Sequence, residues 1–302
     1  MEDFLRKYGI FNTEADEVYL SSKRFTVFPQ EVLTFTNLRV LYLGHNGINR
    51  IPPEINQLTA LRILHLECNL LITIPPELCT LALEELYLDT NIIHYLPDEI
   101  GLLTTLKVLD LNGNQIMELP DSIGRLTNLF DLGLARNRLT CLPPSIGNLT
   151  KLSPTLNLRS NNLSKLPKEI GQLINLTGLR LDNNSLTSLP FEFRNLRSLV
   201  RLSLSNNHFT DIPQEVTALK LLKDLEFDEN LLFVVPPNIG KLINLERLTL
   251  ACNIISELPA EFSALTKLRV FSADYNRFTE IPECTKCLPK LQFCSFYEND
   301  IP

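Results

Sequence analysis

Glycine is scarce in this sequence, tryptophan is absent and methionine nearly so. The 302 residues include eleven glycines, two methionines and no tryptophan, a composition that is unusual for an enzyme. Hydrophobic residues still make up 44% of the chain and charged residues 21%, so the sequence is that of a folded protein rather than a disordered one. Length alone would allow about two domains.

Basic residues and long apolar runs are also in short supply. Lysine and arginine total 28 against 35 aspartate and glutamate residues, which gives a net charge of −7. This surplus of negative charge argues against nucleic acid or an anionic membrane as the main partner. The longest apolar runs, such as residues 231–235, are far too short to cross a membrane. We therefore predict no nucleic-acid binding and no membrane span.

Cysteine is infrequent, and its number is odd. Seven cysteines at irregular spacing do not describe a disulfide framework. The first ten residues, MEDFLRKYGI, contain two acidic residues and no apolar segment of the length that a secretory signal needs. Together these features predict a soluble protein of a reducing compartment, and we expect a cytoplasmic location.

Leucine, in contrast, is abundant and forms a repeat. It accounts for 61 of the 302 residues, and the pattern LxxLxLxxN recurs along the chain. An asparagine ends each copy, at Asn46, Asn69, Asn91, Asn114, Asn137, Asn161, Asn184, Asn207, Asn230, Asn253, Asn276 and Asn299. Successive asparagines are 23 residues apart except at two steps of 22 and 24 residues. These steps mark a deletion near residues 81–83 and an insertion near residues 153–155. The copies then run through a proline, as at Leu119-Pro120, and several continue with Ile-Gly-x-Leu, as in residues 119–126.

These repeats resemble the leucine-rich repeat family over residues 15–302. The LPxxIGxL form is similar to the intracellular subclass that includes Ras-suppressor proteins, Ras–Raf scaffold proteins and the plant intracellular Ras-group-related proteins. The resemblance implies an α/β solenoid, a horseshoe with a parallel concave β-sheet and short helical or extended segments on its convex side. About 12 to 13 units are expected, the last of them truncated.

The alternation within one repeat predicts a short half-buried strand, because side chains alternate between the two faces of a strand. In the repeat around Asp110, seven apolar residues are expected to point inward: Leu106, Leu109, Leu111, Ile116, Leu119, Ile123 and Leu126. A single repeat cannot close a core, so neighbouring repeats must stack. We expect the asparagine amide to satisfy backbone groups of adjacent coils, and the proline to begin a short helix or extended turn.

The two ends differ from the middle. Residues 1–14 carry no repeat and are predicted to form an N-terminal cap before the repeat domain of residues 15–302. Four apolar residues of this segment are expected to cover the open end of the core: Phe4, Leu5, Tyr8 and Ile10. The last unit stops about halfway, at Ile301-Pro302, without a polar capping segment. We expect a longer protein, a missing cap or a stabilising partner there.

No pattern typical of catalysis is present in the sequence. It contains no GxxxxGK[ST] phosphate loop, no GxGxxG after a strand and no GxSxG. His45 and His65 lie on neighbouring rows, as a metal or acid–base pair would, but no matching carboxylate spacing accompanies them. Two exposed polar residues are the simpler interpretation.

A CxxC pair, Cys284 and Cys287, precedes Cys294 near the end of the chain. The cluster lacks a fourth ligand, and Cys294 occupies an inward strand position where we expect it to be buried. Whether these cysteines do more than pack is left open. We predict no catalytic residue, no metal site and no cofactor, and hence no enzyme.

Function is expected on the concave face, because the scaffold does not constrain the side chains there. The residue between the two strand leucines is, row by row, Tyr19, Tyr42, His65, Tyr87, Asp110, Gly133, Asn157, Arg180, Ser203, Glu226, Thr249, Ser272 and Ser295. Four positions per row on this face hold 13 acidic and 5 basic residues, a net charge of −8 that leaves +1 for the rest of the chain. Such focusing favours a partner of complementary charge.

Three zones follow one another on this face. Aromatic residues with neighbouring acids come first, suited to hydrogen bonds and cation–π contacts with arginine or lysine. Arginines come next and an acidic row last. The candidate protein-binding residues are Tyr19, Tyr42, His65, Glu85, Tyr87, Asp89, Asp110, Asp131, Arg159, Arg180, Arg201, Asp224, Glu226, Asp228 and Glu229.

The leading hypothesis is a non-catalytic scaffold or adaptor of intracellular signalling that binds proteins on its acidic concave face. By family analogy the partner is a small GTPase, a kinase or a phosphatase catalytic subunit. The alternative is a regulatory or targeting subunit of a protein phosphatase or ubiquitin ligase. An innate-immune recognition receptor is disfavoured, since its signal peptide and cysteine-rich flanks are missing.

Overall fold

The computed structural model describes residues 2–8 and 14–302. Within these residues it has thirteen β-strands of three residues each. Their bounds are β1 Glu17–Tyr19, β2 Val40–Tyr42, β3 Ile63–His65, β4 Glu85–Tyr87, β5 Val108–Asp110, β6 Asp131–Gly133, β7 Thr155–Asn157, β8 Gly178–Arg180, β9 Arg201–Ser203, β10 Asp224–Glu226, β11 Arg247–Thr249, β12 Val270–Ser272 and β13 Phe293–Ser295.

Short helices alternate with the strands. The described residues contain two α-helices, α1 Glu2–Tyr8 and α2 Glu283–Lys286. Their 3₁₀ helices are Gln30–Thr34, Pro53–Gln57, Pro76–Thr80, Asp98–Leu102, Asp121–Arg125, Pro144–Asn148, Lys168–Gln172, Phe191–Asn195, Val216–Ala218, Pro237–Lys241 and Ala260–Ala264. Each repeat therefore runs from a strand through a turn to a helix and back to the next strand.

The chain forms two compact units, residues 1–152 and residues 153–302. The boundary coincides with the insertion near residues 153–155. In the first unit β1 to β6 pair in parallel and in chain order. In the second unit β7 to β13 do the same. Strand partners are equivalent positions of successive repeats, so each unit is a solenoid of parallel strands, as the periodicity predicts.

The core of each unit lies between its sheet and its 3₁₀ helices. All seven residues predicted to point inward from the repeat around Asp110 are buried, with exposed fractions between 0 and 5%. The same pattern recurs in the neighbouring repeats. Because a coil buries its leucines only against the coils beside it, the apolar core is continuous through each unit.

The repeat asparagines, called here the ladder asparagines, join successive coils. The side-chain amide of Asn137 donates to Leu111 O of the preceding coil at 2.9 Å and to Leu134 O of its own coil at 3.2 Å. Its Oδ1 accepts the backbone N–H of Ile116 at 3.0 Å. Asn137 is buried, with 7% of its surface exposed. The amide thus gives the buried N–H of Ile116 its acceptor and supplies donors to two backbone carbonyls, which confirms the predicted role.

Proline ends the turn and starts the 3₁₀ helix. Pro120 is extended, with φ −66° and ψ 148°, and directly precedes the first helical residue. Its carbonyl accepts the N–H of Ile123 at 3.0 Å and so closes the helix. The glycine that follows is needed for packing, because a Cβ on Gly124 would lie 2.5 Å from the carbonyl oxygen of Ser145 in the next coil. The Ile-Gly pair therefore lets neighbouring helices approach closely.

A left-handed residue precedes each ladder asparagine. Twelve such residues have φ between +50° and +66°, and only one of them is glycine, Gly113. Non-glycine residues in this conformation are strained, as at Thr90 with φ +56°. The turn therefore recurs in each coil whatever side chain it carries.

The ends of the described chain behave differently from each other. In α1, Phe4 is buried, and the Tyr8 ring lies 4.9 Å from the Phe4 ring and 5.2 Å from the Phe25 ring. The side chain of Leu5, and the whole of Ile10, lie outside the described residues. Cys294 aligns with Phe271, as predicted, but it is exposed. The prediction of burial is wrong because no further coil packs over β13 in the structure.

The ladder asparagine provides a stability test. Replacing Asn137 by Ala should lower the free energy of unfolding by about 1–3 kcal/mol, since the buried N–H of Ile116 loses its acceptor and the carbonyl of Leu111 loses one of its two donors. The matched control is Asn49→Ala at an exposed position of the same unit, which should cost about 0.5 kcal/mol or less. Urea unfolding of both variants measures the difference. Equal losses would contradict the assigned role.

Candidate functional site

The side chains available to a partner lie on what we call the open face, the solvent side of the strands in each unit. The first and third residues of each strand point there, while the second is inward and, except in β13, buried. The register places the predicted row side by side: Tyr42 aligns with Tyr19 and His65, and Arg180 aligns with Asn157 and Ser203. Within each unit the strand pairing therefore aligns equivalent positions of successive repeats on the open face.

Four rings on the first unit form an aromatic ladder, made of Tyr19, Tyr42, His65 and Tyr87. Successive ring centroids are 4.5, 4.6 and 4.4 Å apart, and the interplanar angles are 8°, 15° and 5°. The spacing matches the distance between paired strands, so the sheet itself holds the rings in a parallel stack. Tyr19 at the start of the ladder is 60% exposed.

Stacking changes what the aromatic ladder offers to a partner. The faces of Tyr42 and His65 are covered by neighbouring rings, so a cation cannot lie on them. The expected cation–π contact is therefore restricted to the two ends of the stack, at Tyr19 and Tyr87. Elsewhere the ladder presents ring edges and polar atoms. His65 is thus a ladder member and does not pair with His45, which is exposed at a left-handed turn.

Carboxylates accept hydrogen bonds from two rings of the ladder. The hydroxyl of Tyr87 donates to Glu85 Oε2 at 2.7 Å, and that of Tyr19 donates to Glu17. This hydrogen bond raises the pKa of Tyr19 to about 12. Burial, with the Glu85 bond, raises the pKa of Tyr87. The phenols therefore stay neutral donors, and the carboxylates carry the charge on this part of the face.

Further along the first unit, Asp89, Asp110 and Asp131 continue the acidic surface. Burial raises the pKa of Asp89 and of Asp110. Asp110 Oδ1 accepts the backbone N–H of Asn112 at 2.9 Å, which opposes this shift, while the charges of Asp89 and Asp131 add to it. These carboxylates are close enough to influence one another and form one field.

Arginines and acids alternate on the second unit. Asp182 lies between Arg159 and Arg180, at 3.4 Å from Arg159 Nε and 3.5 Å from Arg180 Nε. Its side chain is only 9% exposed, so it anchors the two arginines and is not itself available to a partner. The arginine zone therefore includes a buried acid that the sequence reading did not single out.

The predicted acidic row on β10 divides into residues with different environments. Asp224 lies between Arg201 Nε at 3.5 Å and Arg247 Nε at 3.7 Å, so its charge is largely balanced. Glu226 is half-buried, and Glu229 is exposed at a left-handed turn with φ +54°. A uniform acidic cluster is thus not what the structure shows.

Asp228, the fourth member of that row, is a structural residue. Its Oδ1 accepts the backbone N–H of Ala251 in the next coil at 2.7 Å, and its Oδ2 accepts the hydroxyl of Thr249 at 2.7 Å. Three other residues at the equivalent position bridge successive coils in the same way, namely Asn112, Ser205 and Asp274. This bridge was not predicted from the sequence, and its signal is the small polar residue two positions after the strand in these four coils.

The described residues 2–8 and 14–302 show no group of three or more His, Cys, Asp or Glu side chains that could hold a metal ion. All seven cysteines are free thiols. Cys284 is half-buried and Cys287 exposed. No helix in the described part of the chain is long and apolar enough to cross a membrane.

Comparison with family models identifies the repeat. Three models match in succession: a model of leucine-rich repeats in two copies at residues 36–79, a leucine-rich repeat region at residues 79–155 and a leucine-rich repeat at residues 154–209. The chain belongs to the leucine-rich repeat family. A search of curated protein sequences finds no match.

Solved structures of leucine-rich repeat proteins are similar over nearly the whole chain. A leucine-rich repeat protein of Leptospira interrogans is 30% identical with a TM-score of 0.74, over 98% of this chain and 87% of that one. An internalin of Listeria monocytogenes is 22% identical with a TM-score of 0.73, over 98% and 93%, and shows the fold alone.

A third structure is the leucine-rich repeat ectodomain of a plant membrane receptor kinase, GASSHO1/SCHENGEN3 from Arabidopsis thaliana, in complex with CASPARIAN STRIP INTEGRITY FACTOR 2. It is 27% identical with a TM-score of 0.56, and the match covers 95% of this chain and 44% of that one. Leucine-rich repeat proteins generally mediate protein–protein interaction, and their solenoid is typically a non-enzymatic interaction scaffold.

The division of the acidic row can be tested by mutation. Asp228→Ala should lower the free energy of unfolding by about 1 kcal/mol, because the N–H of Ala251 loses its acceptor. Glu226→Ala, on the neighbouring strand position, should cost about 0.5 kcal/mol or less. Thermal or urea melts of the two variants give the comparison. A greater loss for Glu226→Ala would reverse the assignment of structural and free acids.

The raised pKa of Asp110 predicts a pH-dependent effect. Because the pKa of Asp110 is raised in the folded state, ionisation of Asp110 destabilises that state. The free energy of unfolding therefore falls as pH rises from about 3.9, the pKa in the unfolded chain, through the native pKa. Asp110→Asn should therefore gain stability relative to the parent at pH 7 but not at about pH 3. Urea unfolding at both pH values measures this. A larger relative gain at low pH would contradict the sign.

Proposed function

We propose that this protein is a non-catalytic scaffold or adaptor of intracellular signalling that binds partner proteins on the open face. The aromatic ladder is the observation that carries the proposal. Large rings are usually buried in the core, and here four of them stand in line on the solvent side of the first unit. The core is complete without them, since the inward leucines and ladder asparagines satisfy it.

Rigid aromatic side chains favour association with proteins. Tyrosine is enriched at the centres of interfaces, where it supplies apolar area and a hydroxyl at low entropic cost. The stack fixes the rings before a partner arrives, so little side-chain freedom is lost on binding. The alternative, that the ladder serves only to stabilise the sheet, does not account for the carboxylates that flank it.

Charge supports the same surface. The four open-face positions per row hold six acids and one base in the first unit, and seven acids and four bases in the second. An acidic surface attracts and orients a partner with basic residues. The varied pattern of rings, acids and arginines suits a folded protein better than a uniform polymer.

An intracellular, cytoplasmic location is part of the proposal. Four of the seven free thiols are exposed, namely Cys141, Cys252, Cys287 and Cys294. Exposed free thiols are typical of proteins in reducing compartments. The resemblance of the repeat to Ras-scaffold and Ras-suppressor proteins suggests a small GTPase, a kinase or a phosphatase catalytic subunit as the partner.

Photo-crosslinking from opposite sides of each unit tests the proposal. A photoreactive phenylalanine derivative replaces Tyr19 on the open face and, as matched control, Tyr95, which is 56% exposed near the 3₁₀ helices. In the second unit Phe293 on β13 is compared with Phe191 on a 3₁₀ helix, at 54% and 63% exposure. We expect specific protein adducts in cells from an open-face position and none from its control.

The adducts also separate the alternatives. Identification by mass spectrometry of a phosphatase or ubiquitin-ligase subunit would favour the regulatory-subunit hypothesis over a GTPase scaffold. Equal adducts from open-face and control positions would contradict the assignment of the face. A glycan on the exposed Asn162 would contradict the intracellular location and restore the receptor hypothesis.

A further inference from the structure

The open face of the second unit contains a cavity that the proposed function does not explain. It is an open depression of about 630 Å³ over strands β7 to β11. We call it the arginine bowl, because Arg180, Arg201 and Arg247 line it together with Asp224 and Glu226. Its floor includes Gly178 and Ser203, both of which are buried although they lie at open-face positions.

The bowl arises from the order of side-chain sizes across the paired strands. Gly178 is aligned with Arg201, and Ser203 is aligned with Arg180 on one side and Glu226 on the other. Small residues thus alternate with long ones along both rows. The long side chains surround the glycine and serine positions, where the side chain is absent or short. This leaves space for a group of a ligand.

The guanidinium groups of the three arginines have N–H donors that no acceptor within the described residues uses. Arg180, Arg201 and Arg247 approach their acids through Nε at 3.5, 3.5 and 3.7 Å. Charge-assisted hydrogen bonds are shorter, about 2.7–2.9 Å. Across residues 2–8 and 14–302, no guanidinium group of these three donates a hydrogen bond. Each has five N–H donors, and their side chains are 45, 79 and 50% exposed.

The charge balance indicates what the bowl can accept. Among the residues that line the bowl, three arginines face two acids, Asp224 and Glu226, which is one positive charge in excess. The adjoining pair of Arg159 and Asp182 does not alter this excess. A carboxylate with a single negative charge neutralises it. A phosphate dianion would bring a second negative charge next to Asp224 and Glu226, where repulsion disfavours it.

We propose that the arginine bowl binds the carboxylate of a glutamate or aspartate side chain on the partner protein, through the guanidinium groups of Arg180 and Arg201. Guanidinium and carboxylate groups match in geometry, since both are planar and form paired hydrogen bonds. The inference rests on the proposed function and adds a selectivity element to it: the partner carries one acidic side chain within a surface that is otherwise basic.

Short peptides test the bowl without any knowledge of the partner. The full chain is titrated with acetyl-Ala-Glu-Ala-amide, with the glutamine analogue as the uncharged isostere and with the phosphoserine analogue as the dianion. Binding is followed by NMR of the arginine Nε–Hε groups. The glutamate peptide is expected to shift the signals of Arg180 and Arg201 in a saturable way, and the glutamine peptide is expected to leave them unchanged.

Variants complete the design. Arg201→Gln should weaken binding of the glutamate peptide about tenfold, as expected for the loss of a charge-assisted hydrogen bond. Arg197→Gln, an exposed position of the same unit outside the bowl, should leave the affinity unchanged. Arg201 is 79% exposed, so its replacement should not disturb folding, and circular dichroism verifies this. Arg201→Lys should recover less than half of the affinity that Arg201→Gln loses, because lysine lacks the planar fork.

Three results would overturn the proposal: equal responses to the glutamate and glutamine peptides, tighter binding of the phosphoserine peptide, or unchanged affinity in Arg201→Gln. A failure of the proposal for the arginine bowl can be distinguished from a failure of the proposed function. Loss of peptide binding with retained crosslinks from the open face removes only the bowl. Peptide binding without crosslinks leaves the bowl as a carboxylate site and removes the scaffold role.

Discussion

The ladder asparagine is the interaction on which the rest of the structure depends. A solenoid coil turns sharply after its strand, and this turn buries backbone groups that the strand pairing cannot reach. The asparagine amide bonds to both its own coil and the preceding one, as Asn137 does with Leu134, Leu111 and Ile116. Since this contact recurs once per coil, it sets the register of the strands and thereby the alignment of the open-face residues.

That alignment explains why function concentrates on the open face. Equivalent positions of successive coils are brought side by side at the spacing of paired strands. Rings placed at one position must then stack, as Tyr42 and His65 do, and charges placed at one position must interact, as Asp224 does with Arg201 and Arg247. The surface chemistry of each unit is therefore determined by which residue occupies a given position of each repeat.

Much of this could be predicted from the sequence, because the period of the repeat carries the information. The inward residues, the role of the asparagine and the membership of the open face all follow from spacing. What spacing cannot supply is the orientation of a side chain once it is on the surface. The covering of ring faces at His65 and the use of Asp228 to bridge coils depend on distances of a few ångströms.

A periodic sequence pattern also does not reveal the exposure and contacts of a given position. Cys294 occupies an inward slot, yet it is exposed because burial depends on a neighbouring coil and not on the slot alone. Similarly, the residues of the acidic row have different roles in the structure. Asp224 forms ion pairs, Asp228 bridges two coils and Glu229 is an exposed carboxylate. The arginine bowl exists only because small residues happen to adjoin long ones across strands.

The left-handed residue before each ladder asparagine has a further implication. Glycine would relieve the backbone strain there, which amounts to roughly 1–2 kcal/mol for other residues, yet glycine occupies only one of the twelve positions. The protein retains side chains such as His45, Arg136 and Glu229 in spite of that intrinsic preference. Glycine at each of these turns would therefore increase the thermodynamic stability of the protein, but it would remove functional groups beside the sheet.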